Sequence, residues 1–89
     1  MSIGIEFYDL GKYLNAYIEE IEGRKTPIYY IYSKLDETVL LAEIKWYAPW
    51  RKYCFFPEDD IVFDNKCLKE ILDFINFLNE KHKKGIDKL

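Results

Sequence analysis

Pro49 interrupts a run of alternating residues, and that break sets the path of the chain around it. Before it, Leu40, Ala42, Ile44 and Trp46 alternate with Glu43, Lys45 and Tyr47; after it, residues 50–56 are mostly aromatic. Proline has no N–H to give a ladder, so two strands should meet here in a hairpin. A two-residue loop would require positive φ, which Pro49 cannot adopt, and would set Lys45 opposite Lys52. The spacing therefore predicts a three-residue loop, Ala48-Pro49-Trp50, joining a strand over residues 38–47 to one over residues 50–56. Tyr47 then faces Arg51, Lys45 faces Tyr53 and Glu43 faces Phe55. The other side carries Ala42, Ile44 and Trp46 beside Lys52, Cys54 and Phe56, so one face is mainly apolar and the other mixes rings with charge.

Upstream, Asp9 reads as a helix cap before Leu10, Tyr13, Leu14, Tyr17, Ile18 and Ile21, which share a stripe at helical spacing. With Gly23 as the residue past the end, a helix is expected over residues 10–22. Ile3, Ile5 and Phe7 alternate ahead of it and fit a short strand. Residues 27–33 are β-branched and aromatic and predict a strand, followed by a turn at Lys34-Leu35-Asp36-Glu37. Beyond Pro57, Glu58-Asp59-Asp60 is a solvated loop and Ile61-Val62-Phe63 a candidate edge strand. Asp64 should then cap a second helix, with Leu68, Ile71, Leu72, Ile75 and Leu78 on one stripe, widened by Cys67, Phe74 and Phe77. Its end, Lys81-His82-Lys83-Lys84-Gly85, places cations at the negative pole of the dipole. The expected fold is α+β over a single domain, residues 1–89: helix, three-stranded antiparallel β-meander, helix, with short extra strands at the N-terminus and before the second helix. Two helices on the apolar face leave the mixed face open.

Composition narrows the function classes. The chain has 89 residues, of which 49% are hydrophobic and 18% aromatic, enough for an independent core. A net charge of −3 speaks against general nucleic-acid binding, which depends on neutralising phosphates. No apolar run approaches a membrane span and no signal peptide opens the chain, so a cytoplasmic protein is expected. Cys54 and Cys67 are too few for a zinc site and read as reduced, buried thiols. His82 reads as a solvated residue of a basic helix end. No glycine-rich phosphate loop, catalytic constellation or cofactor motif is present, and an enzyme is not expected.

What remains is the aromatic and basic segment over residues 44–57. Trp46 and Phe56 are expected inside, while Lys45, Tyr47, Trp50, Arg51, Tyr53 and Phe55 form a candidate contact surface. The same segment, with Val62-Phe63 and Cys67-Leu68-Lys69-Glu70-Ile71, resembles a family of small uncharacterised bacteriophage and prophage proteins over about residues 41–79. The resemblance implies a setting inside a bacterium, where many such proteins bind and disable or redirect a host factor, defence systems included. The expected element order is also similar to that of double-stranded-RNA-binding domains. However, Asn65-Lys66-Cys67-Leu68-Lys69-Glu70 lacks the lysine cluster that grips phosphates there. The leading expectation is a non-enzymatic protein that binds a host protein. The alternative is a nucleic-acid or nucleotide-binding module stacking bases on Trp50 or Tyr53, with Arg51 and Lys52 on phosphate. An acidic decoy using Glu58, Asp59 and Asp60 is a third reading, and a homodimer is compatible with each.

Overall fold

The computed structural model describes residues 6–85. Among them the chain forms five strands, β1 (Phe7–Asp9), β2 (Leu14–Glu19), β3 (Ile28–Ser33), β4 (Asp36–Tyr47) and β5 (Lys52–Pro57), and one helix, α1 (Asn65–Lys83). The strands make one antiparallel sheet in chain order, β1-β2-β3-β4-β5. The architecture is therefore mostly β with a C-terminal helix, which corrects the expected helix–meander–helix arrangement.

The helix expected over residues 10–22 is instead the β1–β2 turn, β2 and the start of the β2–β3 connection. Leu14, Ala16 and Ile18 also satisfy a period of two, and they enter the core while Asn15, Tyr17 and Glu19 face away. Pairing along all of β3 decides between the two periods. Asp9 uses its capping chemistry on a turn, where its carboxylate accepts the Gly11 N–H at 3.0 Å and binds the Lys34 ammonium. Gly23 takes positive φ (90°) in the β2–β3 connection rather than after a helix. Phe7 opens β1, while Ile3 and Ile5 lie outside the described residues. The expected edge strand over residues 61–63 is irregular chain, with Val62 92% exposed.

The hairpin at Pro49 is longer by one residue than expected. Tyr47 pairs with Lys52, Trp46 with Tyr53 and Lys45 with Cys54, leaving a four-residue loop from Ala48 to Arg51. The Trp50 and Arg51 N–H groups both donate to Tyr47 O, at 3.1 and 2.9 Å, and Arg51 closes the loop in the left-handed region (φ 55°). One added residue turns β5 over. Tyr53 and Phe55 join the core side; Cys54 and Phe56 take the opposite side with Lys45 and Tyr47.

α1 starts where Asp64 accepts the Cys67 N–H at 2.8 Å. It lays Ile71, Phe74 and Leu78 on Leu14, Ala16, Tyr29, Ile31, Ala42, Ile44 and Tyr53. Leu68, Leu72 and Phe77, expected on the same buried stripe, stay about half-exposed because the sheet meets a narrower arc of the helix. Glu70 anchors the β1–β2 turn, accepting the N–H groups of Lys12 (2.8 Å), Tyr13 (3.1 Å) and Leu14 (3.0 Å). Cys54 and Cys67 are free, half-buried thiols, and burial pushes the Cys67 thiol pKa up.

Candidate binding surface

Registers in the four hairpins place Phe7, Tyr17, Tyr30, Glu43 and Phe56 in one row across all five strands. The row lies on the face opposite α1, and among the described residues no other element covers that face. Aromatic and β-branched side chains stabilise such rows by packing across strands. Phe7 and Tyr17 rings sit 5.4 Å apart, and Tyr17 meets Tyr32 edge-on at 5.6 Å. At the β4–β5 end, Tyr47 packs edge-on against Trp50 (5.0 Å) and Phe56 (6.0 Å), and the Lys45 ammonium lies 4.7 Å from the Phe56 ring centre. Phe7 is 52% exposed and Trp50 65%.

Carboxylates fix the phenols of this face. Glu37 accepts the Tyr17 hydroxyl (2.8 Å) and the Asn15 amide (2.7 Å), and these donors hold its carboxyl below the usual range. Tyr30 donates to Glu19 at 2.5 Å, and that bond to a carboxylate pushes its pKa up to about 12. Lys45 bonds Glu43 at 3.0 Å. Asn15 Oδ1 is buried without a hydrogen-bond partner, because its amide nitrogen is turned to Glu37. The face is thus a set of rings edged by acids, with Lys45 its cation near the hairpin.

Of the six residues expected to form the contact surface, Lys45, Tyr47 and Trp50 share this face. Tyr53 is 1% exposed in the core, and Phe55 packs on Phe63 at 5.2 Å, both displaced by the longer loop. Arg51 points to the helix side, where it lines a cleft with Arg24, Lys25, Trp46 and His82. Trp46 is on the core side as expected, whereas Phe56 is on the open face. His82 is partly buried at the helix end: its ring lies 4.2 Å from Trp46 and 6.2 Å from Tyr53 and borders a cleft open to solvent. Sequence reasoning missed Phe7, Tyr17, Tyr30 and Tyr32; the alternation Asn15, Tyr17, Glu19 was the available signal. Among the described residues, no three His, Cys, Asp or Glu side chains converge as metal ligands. None of their helices is long and apolar enough to cross a membrane.

This sequence is similar to that of a protein of Acholeplasma phage L2 described as an uncharacterized 9.3 kDa protein. The two are 41% identical over 61 residues, 68% of this chain and 77% of the phage protein. The chain belongs to this family of small phage proteins. Sixty-one residues cannot fit between Leu41 and Leu89, so the likeness extends into the first forty residues, beyond the segment that carried the resemblance in sequence. No protein-family model matches the chain, and no solved structure matches it.

Proposed function

We propose that this phage-family chain is a non-enzymatic interaction protein that binds a protein of the bacterial host through the open sheet face, in the host cytoplasm. The observation that carries the reading is the five-strand row of Phe7, Tyr17, Tyr30, Glu43 and Phe56, extended by Tyr47 and Trp50, on the side α1 leaves uncovered. Tyrosine and tryptophan supply large contact area with little rotamer freedom to lose, and they dominate the energetics of many interfaces. Glu19, Glu37 and Glu43 edge the rings with negative charge and suit a partner with a basic rim. Binding there would disable or redirect the host factor, a defence component being one candidate.

Capture from host lysate tests the reading. Wild type is compared with Phe7→Ala/Trp50→Ala, which truncates two exposed rings, and with Leu35→Ser, a change at a 97%-exposed turn position. The ring variant should lose the partner that wild type and Leu35→Ser retain. Equal recovery by all three would remove the open face as the binding surface.

The sheet-face version of nucleic-acid binding fits less well, since three carboxylates share that face and Lys45 is already paired to Glu43.

A further inference from the structure

The positive charge of the molecule collects elsewhere, at the end where the β2–β3 turn, the β4–β5 hairpin and the last turns of α1 meet. A cleft of about 950 Å³ there is lined by Arg24, Lys25, Thr26, Trp46, Ala48, Arg51 and His82. A hollow of about 510 Å³ shares Trp46, Arg51 and His82 with it and adds Lys52 and Lys83. Each cation is brought in by a local backbone feature. Gly23, at positive φ, turns the chain so that Arg24 and Lys25 follow it into the cleft, and Arg24 Nε bonds Thr26 O at 3.4 Å. Arg51 enters from the left-handed corner of the hairpin loop.

Among the described residues none of Arg24, Lys25, Arg51 and Lys52 forms an ion pair, whereas Lys34, Lys45, Lys69 and Lys83 each have a carboxylate partner. Glu80, the carboxylate lining the hollow, is the group near Lys83, at 3.9 Å. Unpaired cations gathered on one wall of a chain of net charge −3 repel one another, and a bound polyanion would relieve that repulsion. Two guanidinium groups match phosphate oxygens in a two-pronged geometry that a point charge does not offer. The Trp46–His82 ring pair gives the same wall an aromatic surface, and the two hollows exceed the space a lone phosphate needs. We infer that this cleft binds nucleoside phosphates, with Arg24, Lys25 and Arg51 on the phosphate groups and the Trp46–His82 wall against the base. The site is separate from the open sheet face and does not rest on the host-protein reading.

The chain has two tryptophans, so Trp50→Phe leaves Trp46 as the sole indole reporter in the cleft. In that background, fluorescence is titrated at low salt with ATP, a short single-stranded oligonucleotide, inorganic phosphate and poly-glutamate. ATP or the oligonucleotide should shift Trp46 emission, and whichever saturates at lower concentration shows whether the source is a free nucleotide or a strand. Arg24→Gln/Arg51→Gln should weaken that binding by about tenfold or more, as loss of charged hydrogen bonds predicts. Lys25→Gln/Lys52→Gln provides a second pair at exposed positions, with folding of both variants checked by circular dichroism. No response to either nucleotide ligand, an equal response to poly-glutamate, or binding unchanged in both folded double variants would overturn the assignment.

Discussion

Asn79 of α1 pairs with Tyr53 of β5 much as another strand would, with its Oδ1 accepting the Tyr53 N–H at 2.8 Å and its Nδ2 donating to Tyr53 O at 3.5 Å. β5 is an edge strand, and an edge presents unpaired backbone groups to other chains. A helix side chain here occupies one such position, and Pro57 contributes no N–H to the same strand.

Asn79→Ala should therefore destabilise the fold by about 1–2 kcal/mol, the usual cost of leaving such groups unpaired. Urea unfolding measures the loss, and light scattering should show increased self-association through the bared edge. A variant as stable and as monodisperse as wild type would reduce the contact to an incidental one.

Gly11 and Glu70 constrain each other. Gly11 has φ 152°, and a Cβ there would sit 2.7 Å from the Glu70 carboxyl carbon, which holds three turn N–H groups. Gly11→Ala should cost about 1–3 kcal/mol through strain and displacement of that carboxylate. Glu70→Ala should cost about as much by orphaning the three donors. The double variant should be less destabilised than the sum, because the clash partner is gone. Additive costs in a double-mutant cycle would argue that the two act independently.

Trp50 and Tyr53, three positions apart in sequence, should respond in opposite ways. Tyr53→Ala empties a core position that is 1% exposed, with an expected loss of about 3–5 kcal/mol. Trp50→Ala at the hairpin tip should stay within about 0.5 kcal/mol and act on binding instead. Thermal melts of the two variants separate the roles, and similar melting temperatures would contradict the register.

On the alkaline side, the Tyr30 phenol is held protonated by its bond to Glu19, with a pKa of about 12. Its folded value lies above its unfolded value, so its contribution is complete below about pH 10 and is lost as pH rises through 12. Ultraviolet titration should show late-ionising tyrosines, with Tyr17 also raised by its bond to Glu37, and Tyr30→Phe should remove one of them. If every phenol titrates together near the ordinary value, the Tyr30–Glu19 bond is not formed in solution.

On the acid side the sign reverses. Lys34 lowers the Asp9 pKa, Thr38 that of Asp36, Asn15 and then Tyr17 that of Glu37, and the Cys67 N–H that of Asp64. Their contributions are present above the ordinary carboxyl values near pH 4 and fade as pH falls through the lowered ones. Glu37→Gln should flatten the acid limb of the stability profile, and an unchanged limb would show that Glu37 has no part in it.

How far the fold could be read from sequence differed by segment. α1 was legible because Asp64 and the apolar periodicity agree, whereas residues 10–22 fit both a helical and an alternating pattern. Asp9 and Gly23 have the chemistry of helix ends and of turns alike, so they could not break the tie; pairing with β3 did. The open face depended on the loop at Pro49. Its fourth residue rests on Arg51 taking a left-handed conformation that glycine or asparagine would have advertised and arginine does not. That one residue put Tyr53 and Phe55 inside and Phe56 outside. The cationic cleft draws on three separated segments, so no local pattern could reveal it.

The strands follow one another across the sheet in the order in which they are synthesised. Each hairpin can close on the chain already made, with no wait for a distant partner, and such local pairing favours rapid acquisition of structure for a β-rich chain. α1 follows all five strands in the chain, so a nascent meander keeps Leu14, Ile31 and Ile44 wet until the helix arrives. A chain stopped before Asn65 would have its strands but no lid for them, and should precipitate rather than accumulate.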